Sequence, residues 1–370
     1  MAGGIGSVNC SQYQVDGNET DSIELKPPYR VPSMGEIAAV PDNGLRVASF
    51  FAGCGGSSLG YRMAGFRILY ANEFVPAVQE SYRANMAAGT VLDGRDVRIV
   101  QAGEVLDACK MQAGALDVMD GSPPCQSFSM AGKREKGWND LCRYEHGARQ
   151  RNDDLFFEFA RLLAGIRPKV FVAENVAGLV RGVSKGYFKE ILAALRACGY
   201  RVRARILDAQ WLGVPQMRQR LIYLGVRDDL NREPVFLKPL PYRYSVRDAL
   251  PWISKVGISV HGWTTRPQMP LDNPAFAVPA SPGASYTGYW IESANGYNGH
   301  APRPDTEPMA AVQAQRPGRV AAYRDRRSSF GSEGEPAVSE RRKFSIAELK
   351  PICAFPDDFQ LTGTYAQQWE

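Results

Sequence analysis

An α/β fold is predicted by three features of the sequence. Short apolar runs alternate with helical stretches, a glycine-rich turn separates the first run from the first helix, and a cysteine follows two prolines just past another run. Strands that alternate with helices argue for a parallel sheet joined by crossover helices. The first unit reads as strand 46–51, the turn Ala52-Gly53-Cys54-Gly55-Gly56, helix 57–63 and strand 66–71. Glycines suit the turn because they let the backbone approach a ligand at a helix N-terminus. Apolar residues then place strands at 117–120 and 170–174, and helical spacing places helices at 154–164 and 187–197. Strands 201–208 and 220–226 complete the alternation.

The chain has 370 residues, which suggests about two domains. Hydrophobic content of 44% and charged content of 22% are those of a globular protein. No apolar run approaches the roughly 20 residues of a membrane helix, and residues 1–26 carry no basic-then-apolar signal pattern, so a cytoplasmic protein is expected. The seven cysteines form no CxxC pair and the three histidines are scattered, so no metal site or disulfide framework is expected. A net charge of +5 permits a polyanionic partner without requiring one.

Residues 1–44 are a polar extension with one short apolar stretch at 34–40, and 45–228 hold the alternating elements. Residues 229–340 turn to Pro, Gly, Ser, Tyr and Arg without a long helical period. Patterned sequence resumes at 342–358, so 341–370 are expected to return to the first domain.

The candidate chemistry sits at strand ends, where open α/β sheets bind ligands. Pro123 and Pro124 fix the approach to Cys125, either a small buried hydrophobe or a pinned nucleophile. Glu73 ends the second strand, as a solvated end or as a carboxylate accepting from both hydroxyls of a ribose. Asp96, before Val97, is placed at a third strand end, on the surface or near an adenine amino group. Glu174 follows the run 169–173 on the same side of the sheet as Cys125, and burial could keep it protonated as an acid, unless Asn175 merely caps a helix. Strand alternation would send Gln216, Arg218 and Arg220 to one side, suiting a phosphate or a polarised carbonyl, or else a solvated edge.

In order and spacing these segments closely resemble the DNA (cytosine-5)-methyltransferases of prokaryotic and phage restriction-modification type. The resemblance rests on Phe51-Ala52-Gly53-Cys54-Gly55-Gly56, Asn72-Glu73-Phe74, Gly121-Ser122-Pro123-Pro124-Cys125-Gln126-Ser127-Phe128-Ser129, Asp154-Leu155-Phe156-Phe157 and Glu174-Asn175-Val176. Residues 216–220, Arg342-Lys343-Phe344-Ser345-Ile346-Ala347-Glu348 and Phe355-Pro356-Asp357-Asp358-Phe359 continue it.

The resemblance implies a Rossmann-like, S-adenosylmethionine-dependent methyltransferase sheet with helices on both faces, plus a smaller irregular target-recognition domain at 229–340. It implies methyl transfer to C5 of a flipped-out cytosine in duplex DNA, with S-adenosylhomocysteine as the other product. Cys125 is then the nucleophile that adds at C6, Glu174 the group on N3 and the exocyclic amine, and Arg218 the contact to the cytosine carbonyl. Phe51, Gly53, Gly55, Gly56, Glu73, Phe74, Asp96, Val97, Pro124 and Leu155 would line the cofactor pocket. Gln126, Ser127, Gln216, Arg220, Arg324, Arg326 and Arg327 would meet DNA, and 127–150 would form a mobile catalytic loop.

The family's last motif, Gly-Asn-(Ala/Ser)-Val-Pro, does not follow Phe359. Truncation, a second chain supplying the motif, or compensation by 1–44 would each account for that, with truncation or a partner chain preferred. The rival readings are a non-catalytic DNA-binding remnant, a tRNA cytosine methyltransferase, disfavoured by the long insert, and a nicotinamide oxidoreductase, which gives Cys125 no task.

Overall fold

The computed structural model describes residues 26–86, 88–124, 142–143, 149–150, 155–180, 185–259, 268–269, 271–277, 288–293, 344–364 and 368. A short helix α1 (Met34–Ala38) begins at a capping box in which Ser33 and Glu36 satisfy each other's backbone N–H groups. Then β1 (Arg46–Phe50), α2 (Gly56–Met63), β2 (Arg67–Asn72), α3 (Pro76–Met86), β3 (Val91–Asp93), α4 (Ala102–Cys109) and β4 (Val118–Gly121) alternate. Two short strands, β5 (Cys142–Arg143) and β6 (Arg149–Gln150), pair with each other. The alternation resumes with α5 (Leu155–Ile166), β7 (Val170–Val176), α6 (Lys185–Ala197), β8 (Tyr200–Asp208), β9 (Gln216–Met217) and β10 (Gln219–Arg227). Beyond these lie α7 (Val246–Ala249), β11 (Ile253–Ser259), β12 (Gln268–Met269), β13 (Ala275–Phe276), β14 (Gly288–Ser293) and α8 (Ile346–Ile352).

Seven strands form the central sheet in the order β3-β2-β1-β4-β7-β10-β8. This is a Rossmann-like arrangement whose strand order reverses between β1 and β4, the position where such sheets open a crevice. One expectation needs correcting, because the sheet is mixed rather than parallel. β10 runs antiparallel to both β7 and β8. Residues 209–218 are too short a link for a parallel return, which needs a dozen or more residues, so the chain doubles back.

Two apolar layers hold the sheet. On one face α5 buries Leu155, Phe156, Phe159, Leu162, Leu163 and Ile166 at helical spacing, against Phe50, Met119 and Phe171. On the other face Leu59 of α2 with Tyr82 and Met86 of α3 enclose Ala52 and Ala71, and Ile37 and Phe359 join that cluster from far away in sequence. A separate cluster of Val246, Leu250, Ile253, Leu271, Phe344, Leu349 and Ile352 joins α7 to α8.

Gly225 of β10 lies against Phe171 so closely that a Cβ would fall within its ring. Gly225→Ala should therefore cost about 1–3 kcal/mol by overpacking. A lowered urea midpoint with unchanged slope is the expected reading, and an unchanged midpoint would show that the ring has room to move.

Candidate active site

Strands β2, β1 and β4 end level with one another, and β7 runs in register beside them and on to Val176. Phe50 lies opposite both Asn72 of β2 and Gly121 of β4, and Gly121 lies opposite Ala173 of β7. The next residue of each strand therefore falls in one row: Glu73, Phe51, Ser122 and Glu174. At about 4.8 Å between strands this row spans roughly 14 Å.

The turn after β1 is shaped by backbone that only certain residues tolerate. Phe51 has φ +54°, Gly53 +58° and Gly55 +100°. A Cβ at Gly55 would stand 2.9 Å from Met86 Cγ and 3.2 Å from the Tyr82 ring, so that position admits only glycine. A Cβ at Gly53 would meet nothing within 4 Å, which leaves an open cradle above the turn.

Glu73, 8% exposed, anchors this cradle. One carboxylate oxygen accepts from the Gly53 N–H and the other from the Val75 N–H, both at 2.8 Å. Burial raises its proton affinity, and the backbone donors work against that rise. Phe74 beside it is half-buried. Asp96 lies three residues past the end of β3, not at a strand end, because the strand stops at Asp93 and the chain bends at Arg95. Its carboxylate accepts from the Arg98 N–H and pairs with the Arg98 guanidinium at 3.2 Å. Val97 and Leu155 are both buried in the main core cluster.

The approach to Cys125 is fastened on both sides. Ser122 Oγ donates to the Phe51 carbonyl at 3.0 Å, and Asn175 Nδ2 donates to the Pro123 carbonyl at 3.3 Å. Asn175 thus ties β7 to the loop after β4 rather than capping a helix. Pro123 is buried and Pro124 half-buried. Cys125, Gln126, Ser127, Arg324, Arg326 and Arg327 lie outside the described residues, as does most of 127–150.

Glu174 Oε1 pairs with Arg220 Nε at 2.7 Å, with both side chains partly open to solvent. Arg218 is half-buried, and burial together with neighbouring Arg220 lowers its proton affinity while Glu174 opposes that. Gln216 departs from the expected alternation. It is 2% exposed, and its Nε2 donates to Cys353 Sγ at 3.2 Å. The strand breaks at Arg218, so Gln216 pairs in β9 with β13 while Arg220 pairs in β10 with β7. Only Arg218 and Arg220 keep company with Glu174.

Asp120 belongs to the site although its motif did not single it out. It is 6% exposed on β4, and its carboxylate accepts from Ser49 Oγ at 3.0 Å, from Tyr61 OH at 3.5 Å and from the Ser57 hydroxyl. Burial pushes its pKa up to about 6, and the nearby Glu174 charge adds to that. The readable signal was an acid within a strand that is otherwise wholly apolar and buried. Among the described residues no group of three or more His, Cys, Asp or Glu could hold a metal ion. No described helix is long and apolar enough to cross a membrane.

A family model described as C-5 cytosine-specific DNA methylase matches residues 45–370. The chain belongs to that family. Among curated relatives, the Type II methyltransferase M1.HphI of Haemophilus parahaemolyticus is 30% identical over 326 residues, covering 86% of this chain and 80% of the relative. M.NgoPII of Neisseria gonorrhoeae is 33% identical over 189 residues, 51% of this chain and 50% of that one. M.FnuDI of Fusobacterium nucleatum is 35% identical over 187 residues, 50% and 48% of the two chains. The chain thus spans about half the length of the latter two. Among solved structures, DNMT2 of Spodoptera frugiperda gives a TM-score of 0.56 at 16% identity, covering 88% of this chain and 93% of that one. The S. pombe Dnmt2 methyltransferase gives 0.53 at 17% identity, covering 88% and 92%. These two likenesses are of fold.

Asp120 generates a pH prediction. Its pKa is raised on folding from the ordinary 3.8 to about 6, so its contribution to stability is complete below pH 4 and lost as pH rises through 6. Asn does not titrate. The unfolding free energy of the parent relative to Asp120→Asn should therefore fall by about 3 kcal/mol between pH 4 and pH 7. Urea unfolding of both proteins across that range measures it, and a constant difference would show that Asp120 titrates normally.

Proposed function

We propose that this protein transfers a methyl group from S-adenosylmethionine to C5 of a cytosine in duplex DNA, through a covalent bond between Cys125 and C6 of an extruded base. The level row at the strand ends carries the reading. It sets a cofactor cradle, the approach to a thiol and a carboxylate–arginine pair side by side at the reversal of strand order.

The cradle fits the cofactor. Gly53 faces open space, and the Glu73 carboxylate is already held from below by backbone N–H groups, leaving it placed to accept from two ribose hydroxyls. When bound, S-adenosylmethionine supplies an electrophilic methyl on sulfur. Asp96, Phe74 and the proline-bounded loop would enclose the rest of the molecule.

Cytosine C5 is a weak nucleophile until C6 carries an added thiolate. Cys125 would add there and make C5 enamine-like, so that C5 takes the methyl and loss of the C5 proton releases the thiol. Charge pushed into the ring collects at N3 and the carbonyl oxygen. Glu174 would give its proton to N3 and accept from the exocyclic amine, and Arg218 would meet the carbonyl oxygen. The Arg220 pair fixes one oxygen of Glu174 and so the plane of its carboxyl. A stacked base hides its ring faces, so the cytosine must leave the helix. Residues 229–340, with Arg324, Arg326 and Arg327, would read the duplex. Gln216, being buried, would support the loop rather than touch DNA. The names of the Type II relatives favour the modification half of a restriction system.

Incubation with duplex DNA and methyl-labelled cofactor should label the DNA, and Cys125→Ala should reduce labelling to background. Label transfer that survives this change would refute the covalent route, while label in tRNA but not DNA would reassign the substrate. Calorimetry with Glu73→Gln should show cofactor affinity lowered about ten- to a hundredfold, as expected for a lost charged hydrogen-bond pair. Unaltered affinity would remove the ribose from Glu73.

A further inference from the structure

The family's last motif does not follow Phe359, and the family model begins only at residue 45. The ground beside Phe359 is nevertheless filled, from the other end of the sequence. Residues 26–43 are fastened along their length. Lys26 Nζ pairs with Asp248 at 2.6 Å, the Pro27 carbonyl accepts from Tyr244 OH at 3.0 Å, and Tyr29 OH donates to the Pro351 carbonyl. Met34 N–H donates to the Asp358 carboxylate at 3.0 Å, and Asn43 N–H donates at 2.9 Å to the Gly65 carbonyl, just past the end of α2. Segments outside the core elements are ordered only where they are tied down, and this one is tied repeatedly.

The fastening leads to the cofactor turn. Tyr29 and Met34 are anchored to Pro351 and Asp358, on either side of Phe355, and a Cβ on Gly56 would stand 3.4 Å from the Phe355 ring. Ile37, 2% exposed, joins Ala52 of the turn, Leu59, Tyr82, Met86 and Phe359 in one apolar cluster, against which Met34, Cys54 and Phe355 pack. Tyr82 and Met86 are the side chains that fit against Gly55. Val31-Pro32 stands just before the capping box of α1, matching the Val-Pro that ends the missing motif, with Pro28-Tyr29-Arg30 in place of its Gly-Asn-x. Two matching residues decide nothing by themselves. Their place between the Tyr29 and Met34 anchors, beside the cofactor turn, gives them weight.

We propose that residues 29–37 serve in place of the family's last motif as the outer wall of the cofactor site, with Met34 and Ile37 positioning the turn 51–55 for its ligand. The inference rests on the methyltransferase reading, in which that turn cradles S-adenosylmethionine. It replaces the truncation or partner chain that the sequence favours, because the cofactor domain then supplies its own wall. The wall is joined to the turn by packing and hydrogen bonds rather than by continuous chain. Its hold and the ligand's therefore reinforce each other: a turn kept in shape binds cofactor more tightly, and bound cofactor tightens the hold by the same factor.

Calorimetric titration of the full chain with S-adenosylhomocysteine tests this. The parent should bind it with no added protein. Asp358→Ala, which removes an exposed acceptor for the Met34 N–H, should weaken binding about five- to tenfold, as expected when coupling passes on part of a charged hydrogen bond. Ile37→Ala should weaken it further, and Ile37→Val should restore most of the loss. Lys26→Ala releases only the far anchor and should leave affinity unchanged. In methylation assays Asp358→Ala and Ile37→Ala should raise KM for the cofactor with kcat at saturation unaltered. A lowered urea midpoint with parental affinity in both variants, or an equal loss of affinity in Lys26→Ala, would make the segment merely structural and overturn the proposal. Hydrogen exchange on the parent needs no variant. S-adenosylhomocysteine should slow the amides of Met34, Ile37 and Ala39, which donate to Asp358, Ser33 and Gly35, and exchange indifferent to the ligand would refute the coupling. A parent that binds no S-adenosylhomocysteine, or binds it only with a second polypeptide added, would also overturn the proposal. The methyltransferase reading fails separately, if cofactor is bound but no nucleic acid is labelled, and the affinities and exchange rates then still decide the role of 29–37.

Discussion

The register of four strands is the constraint on which the site depends. Because β2, β1 and β4 end level and β7 runs in register beside them, Glu73, Phe51, Ser122 and Glu174 fall in one row without any loop reaching far. Each neighbouring pair is then fastened by hydrogen bonds that exist only in this register. Ala52 N–H donates to the Asn72 carbonyl, Ser122 Oγ to the Phe51 carbonyl, and Asn175 Nδ2 to the Pro123 carbonyl. A slip of one residue would invert the faces of a strand. On β4 it would drive Met119 toward the hydroxyls of α2 and expel Asp120 into the apolar layer under α5. The polar fastening and the apolar packing therefore select the same alignment.

Three carboxyls stand on or behind this row, in three different environments. Glu73 is neutralised in effect by backbone N–H groups, which cannot move or exchange protons on the time scale of a reaction. Glu174 is held by an arginine in partial contact with solvent. Asp120 is surrounded by hydroxyls in the interior. Environments that push the proton affinities of like groups apart are how a single site divides binding from proton transfer. Glu73 suits a fixed acceptor, Glu174 a carboxylate whose plane is set by its arginine partner, and Asp120 an interior carboxyl that its hydroxyl shell can serve in either charge state.

Much of this was legible in the sequence because it is local. The strand–turn–helix pattern at 46–63 is short-range, Glu174 follows directly on an apolar run, and Glu73 follows another after one residue. What escaped depends on contacts between distant segments. The direction of β10 follows from a link too short to cross over, and the alternation within 216–220 carries no sign of the break at Arg218 that turns Gln216 inward to Cys353. Asp96 was expected at a strand end, whereas β3 stops at Asp93 and the chain turns before Asp96. Asp120 gave a weak signal, since one acid in an apolar strand looks the same whether it caps the strand or is buried within it. Only the neighbouring hydroxyls of Ser49, Ser57 and Tyr61 decide that, and two of them belong to a helix some sixty residues earlier.

The cofactor turn is also braced from outside the sheet, by segments that a local reading leaves unassigned. Met34 N–H donates to the Asp358 carboxylate, and Tyr29 OH donates to the Pro351 carbonyl, so residues 26–41 and 344–364 hold each other. Together they present Ile37 and Phe359 to Leu59, Tyr82 and Met86, and the last two crowd Gly55 and leave no room there for a Cβ. Asn85 and Ser81 of α3 add hydrogen bonds to Gln360 and Thr362. The left-handed backbone at Phe51 and Gly55, strained at Phe51, is thus supported on one side by the sheet register and on the other by this clasp. Backbone held in a sparsely populated region persists only where its surroundings over-determine it. Here that requirement explains why two segments more than three hundred residues apart are packed onto a five-residue turn: without the outer clasp, the register alone would fix where the turn begins but not its shape.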